Sequence, residues 1–291
     1  MMDFPTRKRL TLQAASQAQI VRAKCKIKRG AAIDPISVAE ALGCEVRFMA
    51  LPSLEGLYSP TPRPVIVLGS ERPAGRRAYT CAHEIGHNEF KHGARIDEFV
   101  NYSTPETDDP DEFIANMFAA FLLMPKSIIQ KALKERQIQP QRIEPMQIFR
   151  MASHLNVGYG TLINHMTWTL NLLGRRQCKN LLRTQPKKLK AQFGGSPQGE
   201  VILVDGLWWD RTVDLEIGDI LAFHDDASLD ETSRLTFVGM VDGMKTYRAV
   251  ARGYTRAFDE HEDWAANIRI ASKHYEGLAR FRFYSDPEEE I

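Results

Sequence analysis

Cysteine is scarce and scattered. The 291-residue chain has four, Cys25, Cys44, Cys81 and Cys178, with no Cys-x-x-Cys pair among them. That spacing argues against a disulfide framework or a cysteine zinc site and suits reduced thiols in a cytoplasm. Long apolar runs are missing too. The longest, residues 117–124, falls far short of the roughly 18 residues a membrane-spanning helix needs. Behind the basic start, polar Gln13, Ser16, Gln17 and Gln19 interrupt any signal-peptide core. Charge of one sign is not in surplus either. Lys plus Arg number 38 against 37 Asp plus Glu, which excludes attachment to DNA or membrane by bulk positive charge and leaves only local patches. No repeat and no low-complexity segment occurs. The expectation is a cytoplasmic protein with no membrane partner, its oligomeric state left open.

What is present is ordinary globular material, 43% hydrophobic and 26% charged, enough for one large domain or two modest ones. Asp34-Pro35 is a helix-start pair, and a helix over 36–42 should stop at Gly43 before a strand over 44–48. Residues 65–68 read as a short strand. Helices are expected over about 111–123, ending before Pro125, and over 127–135, 145–155 and 159–173. From Arg175 to Lys190 the chain carries seven basic residues and no acid, and Gly194-Gly195-Ser196-Pro197 is its best linker signal. Beyond it, residues 201–204, 220–223, 235–241, 247–251 and 278–284 are strand-like, with Asp242-Gly243 a tight-hairpin dipeptide. The expected organisation is α+β. A helix-rich unit with a small sheet spans residues 1–190. A β-rich domain covers 199–285, and an acidic tail 286–291.

The sharpest chemical signal is His83-Glu84-Ile85-Gly86-His87. On a helix the two histidines lie about one turn apart on one face and can reach a single metal ion. Glu84 projects about 100° around the helix, beside the metal, where it can take a proton from water. A catalytic site needs a third ligand. Glu112 opens a helix otherwise so apolar that it must be buried, and a carboxylate there is costly unless it meets a cation. Asp111 and Glu106 are rivals, and a bland alternative is a favourable place at the positive end of the helix dipole. Asn116, four residues on, could accept a hydrogen bond from the far nitrogen of a metal-bound histidine.

These two blocks, the Ala82-His83-Glu84-Ile85-Gly86-His87 run and the stretch from Glu112 through Ala115-Asn116 and Phe118-Ala119-Ala120 to Leu122-Leu123-Met124-Pro125, resemble the ImmA/IrrE family of metallopeptidases. The family pattern joins AHE-x-GH to E-x-x-AN-x-FAA-x-LLMP, and the likeness covers about residues 30–175. It departs only just upstream, where the common RFTLAHE reads Arg77-Ala78-Tyr79-Thr80-Cys81-Ala82-His83-Glu84. The resemblance implies that Glu112 is the third ligand of a Zn2+ ion, although Mn2+ or Fe2+ would accept the same donors. It implies a zincin-like metalloendopeptidase with Glu84 as base, cutting a helix-turn-helix (XRE-type) repressor to release stress, mobile-element or phage-related genes. A different class stays open: a non-catalytic metal-binding regulator that antagonises the repressor by binding alone.

Weaker signals surround this core. The segment 145–173 has helix-turn-helix periodicity but no basic residue in its second helix, so packing is expected rather than groove reading. The stretch from Arg175 to Lys190 is either a solvated surface or a weak contact to DNA or an acidic partner. Tyr58, Tyr102 and His154 are candidates to steady an oxyanion. His92, five residues after His87, is expected on the surface, and Cys81 as inert packing. A bound peptide is expected to lie beside an edge strand at residues 65–68. The domain at 199–285 is expected to sense or dock.

Overall fold

The computed structural model describes residues 2–98, 107–209, 211–224, 226–230, 232–259 and 264–284. Glu106, Tyr102 and the acidic tail 286–291 lie outside the described residues. The architecture is mixed α+β, helical in its first part and β-rich after it.

Helix α1 (Phe4–Lys24) opens at Asp3, whose side chain accepts from the Thr6 backbone N–H at 2.9 Å, with Pro5 in the first turn. It buries Leu10, Ala14, Ala18 and Val21 against the apolar α4 (Pro110–Leu123). The small residues of this stripe carry little hydrophobic contrast, which is why the sequence did not announce a helix there. Helix α2 (Pro35–Ala41) starts on Asp34 as its composition foretold. A five-stranded sheet follows, ordered β13-β1-β3-β2-β4. Its strands are β1 (Glu45–Met49), β2 (Leu54–Ser59), β3 (Val65–Gly69), β4 (Arg95–Glu98) and, from far along the chain, β13 (Gly277–Leu278). Strand β3 is therefore central, flanked by β1 and β2, and the expected edge strand at 65–68 is a correction. A short apolar run announces burial but not its neighbours.

Helix α3 (Ala74–Glu89) carries the histidines, and α4 packs along it. Beyond α5 (Lys126–Glu135), α6 (Pro145–Leu155) ends with Asn156 in the left-handed conformation (φ 51°) and leads into α7 (Tyr159–Asn164). The chain then widens into a π-turn at His165–Thr169 instead of continuing helical to 173. In α7, Tyr159, Leu162 and Ile163 are buried, so this pair packs into the core. The stretch Pro110–Glu135 is apolar enough by composition to cross a membrane. Two thirds of its most apolar window is buried inside the fold, however, and it is two helices broken at Pro125. Helices α8 (Arg175–Leu182) and α9 (Pro186–Gln192) turn Cys178, Leu181 and Leu189 inward and leave Arg175, Arg176, Lys179, Arg183, Lys187 and Lys188 exposed.

The β-rich region holds two four-stranded sheets. One runs β5-β7-β10-β9 and the other β6-β12-β11-β8. Their strands are β5 (Val201–Leu203), β6 (Arg211–Glu216), β7 (Ile220–His224), β8 (Ala227–Leu229), β9 (Leu235–Val241), β10 (Met244–Ala249), β11 (Gly253–Asp259) and β12 (Ala265–Ala271). The strand expected over 278–284 is not formed. After Leu278 the chain makes a single 3-10 turn, Ala279–Phe281. One apolar core runs from Leu10 to Ala279 and includes Val201, Leu203, Ile220, Ala222 and Met244; a second, within residues 204–270, fills the space between the two later sheets.

Candidate metal centre

The centre is built where three elements converge. Glu55 on β2 is buried between Arg72 and Arg76, with Arg76 Nε 2.7 Å from its carboxylate, and this pins the first turn of α3 to the sheet. From there every residue from Ala78 to His87 is buried. Two glycines allow the close approaches. A Cβ on Gly56 would lie 2.5 Å from Thr80 Cγ2 and 2.9 Å from Glu84 Oε1, and one on Gly86 only 3.1 Å from Ala115 Cα of α4. Because α4 comes this near, Glu112 in its first turn reaches the histidines of α3.

The donors converge. His83 Nε2 and His87 Nε2 are 2.9 Å apart, and Glu112 places Oε2 3.3 Å from His83 and Oε1 3.5 Å from His87. Zinc-to-ligand lengths of about 2.0–2.2 Å place the donors of a tetrahedral shell roughly 3.3–3.6 Å from one another. Both histidine–carboxylate separations fall in that range, and the imidazole pair at 2.9 Å would have to part by a few tenths of an ångström around an ion. These three residues could hold a metal. The histidines are sealed, while a quarter of the Glu112 side chain is exposed, so the opening lies on its side. Burial pushes the Glu112 carboxyl up, but hydrogen bonds and charge from His83 and His87 outweigh it and hold the group well below the ordinary carboxylate range. Glu84, on the next position of α3, has a fully buried carboxylate in the crease against Gly56.

The sequence misplaced His92. Extended helix geometry turns a residue at i+5 away, but α3 ends at Glu89. With Lys91 in the left-handed region (φ 62°), the chain folds back so that the His92 N–H donates to the His87 carbonyl at 3.0 Å. The imidazole is nearly buried. Its Nδ1 is 2.8 Å from His87 Nδ1, and its Nε2 faces Asp111 Oδ1 at 3.3 Å. Asp111, once a rival ligand, thus serves His92 and Arg95. Burial, with His87 and Arg95 adding to it, lowers the His92 pKa against the pull of Asp111. The signal was the helix stop itself, which no periodicity argument weighs.

Among the described residues the buried Asn116 Oδ1 accepts no hydrogen bond, from the histidines or elsewhere, and its backbone carbonyl accepts from the Tyr79 hydroxyl at 2.9 Å. Tyr58 donates to Asn88 Oδ1 at 3.0 Å. His154 packs edge-on against Trp208, away in the join with the β-rich region. Burial pushes the Cys81 thiol well up, in keeping with inert packing.

A buried helix bearing two histidines one turn apart, completed by a carboxylate from the neighbouring helix, is the donor set of a metallopeptidase-like centre. Residues 39–167 match the Peptidase_M78 family, the IrrE N-terminal-like domain. This segment, which spans every donor, is therefore similar to the IrrE-type N-terminal domain of that peptidase family. Among curated proteins none matches the chain.

Proposed function

We propose that the protein is a site-specific zinc-dependent endopeptidase whose substrate is a cytoplasmic helix-turn-helix (XRE-type) repressor, cut to release the genes it silences. The observation that carries this reading is the pairing of a three-donor cluster, open on the Glu112 side, with a buried carboxylate on the adjacent helical position. A purely structural ion would need the donors and not Glu84.

His83, His87 and Glu112 would hold the ion, which when bound supplies a Lewis acid that acidifies water and polarises a carbonyl. Glu84 does the proton work: a carboxylate oxygen takes the proton of the attacking water and passes it to the amine that leaves as the peptide bond breaks. Gly56 keeps that carboxylate in its crease. An extended substrate adds to a free sheet edge, and on the β2 side that edge is β4. The exposed basic face of α8 and α9 suits a weak contact with DNA or an acidic partner.

Incubation of the repressor with wild type and Glu84→Gln, read on a gel, tests the reading. Cleavage should fall by about 10²–10⁴-fold in the variant while bound zinc, measured by elemental analysis, stays at one per chain. Undiminished cleavage overturns Glu84 as base, and wild type that binds repressor without cutting it points to the non-catalytic regulator.

A further inference from the structure

A cavity that the proposed chemistry does not use lies where the helix of the histidines meets the β-rich region. Its volume is about 320 Å³, at the small end of small-molecule sites, which favour such joins. Ala74, Arg77 and Ala78 of α3 form one wall, and Trp208, Arg211 and Leu215 stand among the others.

Most charge in these walls is already matched. Arg77 pairs with Glu216, and Arg269 and Arg282 both pair with Asp214. Asp34 caps α2, and Asp219 accepts the backbone N–H groups of Glu200 and Glu216 at 2.8 Å each. Two donors stand apart. Trp208 is 3% exposed, yet its indole Nε1–H has no acceptor among the described residues. An indole N–H can only donate, and a buried one ordinarily finds a partner. Arg211 lies over the same indole, 4.5 Å from the ring centroid, and gives an N–H to the His154 carbonyl. Among the described residues no carboxylate pairs with it, and a guanidinium has five N–H donors to place. This corner is rigid before anything binds. Arg136 grips Asp205 through two bonds of 2.8 and 3.0 Å, and Asp205 caps the 3-10 turn Gly206–Trp208 by accepting from the Leu207 N–H.

We propose that this cavity binds a small organic anion, its carboxylate or phosphate received by the Arg211 guanidinium and the Trp208 indole N–H, its apolar body against Ile202 and Leu215. Guanidinium forks match planar or tetrahedral oxyanions, and a ligand rich in acceptors is what a wall with surplus donors selects. Since α3 forms part of the lining, an occupant rests against the helix that presents His83 and His87. Binding itself does not depend on peptide hydrolysis.

Isothermal titration of the full chain with succinate, inorganic phosphate and AMP tests this and separates the carboxylate from the phosphate source. At least one should bind saturably at one per chain. Arg211→Gln should weaken that binding by about tenfold or more, and Trp208→Phe, which keeps the ring and loses the N–H, should weaken it severalfold. Glu84→Gln should bind as wild type, so the cavity and the peptidase reading succeed or fail separately. No saturable binding of any of the three, or binding untouched by the substitutions, overturns the proposal. Should Arg211→Gln fail to fold by circular dichroism, Trp208→Phe decides alone.

Discussion

At Gly56 the backbone of β2 passes so near α3 that a methyl group would meet Glu84 Oε1 at 2.9 Å and Thr80 Cγ2 at 2.5 Å. Gly56→Ala should therefore displace the carboxylate and leave the ligands alone. Cleavage is expected to drop tenfold or more, in the general-base range, with zinc content unchanged by elemental analysis. His92 acts on the other side of the cluster. With its Nδ1 against that of His87 and its Nε2 toward Asp111, it fixes which way the His87 ring faces. His92→Ala should weaken zinc binding by about 10–100-fold, measured by competition with a chromophoric chelator; unaltered affinity would show that the contact does not orient the ligand. His83, Glu84 and His87 were legible because a helical period and a fixed ligand chemistry meet in five residues. Gly56 and His92 were not, because one acts by lacking a side chain and the other by a backbone reversal past the helix end.

Among the elements, those with caps and apolar stripes could be read. Helix α6 spans the expected residues, and α4 opens on Asp109, which accepts from the Asp111 N–H at 2.8 Å, and closes before Pro125. Helix α1 and the order of the sheet could not, since an alanine stripe has little contrast and strand pairing is a long-range choice. The π-turn after α7 carries a pH consequence. Its His165 is buried and donates to the Met124 carbonyl at the end of α4. Burial lowers its pKa to about 4, against the opposing effect of that bond, while the unfolded chain titrates near 6.5. Between these values the unfolded state takes up the proton and the folded state does not. Stability is thus full above about pH 6.5 and falls as pH drops toward 4, by at most about 3 kcal/mol from this residue. Urea midpoints across that window should show the loss. His165→Gln, which can still donate to Met124, should flatten the slope and leave the share of His154, whose pKa burial lowers to about 2. An unchanged slope in the variant would assign the acid sensitivity elsewhere.

For the whole molecule, the linker signal at residues 194–197 is a bend in a shared structure. Val201, Leu203, Ile220, Ala222 and Met244 join the core of the helical part, β13 pairs with β1, and Glu216 pairs with Arg77 of α3. A fragment ending at residue 198 should consequently lose several kcal/mol, since each exposed apolar side chain costs about 1.5–3. Its melting temperature should fall by about 10 °C or more, read by calorimetry. A fragment as stable as the full chain would mean the two parts merely touch. Composition showed where the chain changes character; it could not show that its late segments return to an early sheet.

That return has a timing. Strand β13 lies at Gly277–Leu278, so β1 keeps a bare edge, and Arg77 an unmatched charge until Glu216 emerges, while the ribosome is still at work. A nascent chain therefore carries the histidine helix and its metal donors well before Glu216 and β13 arrive to close the far side of the sheet and helix.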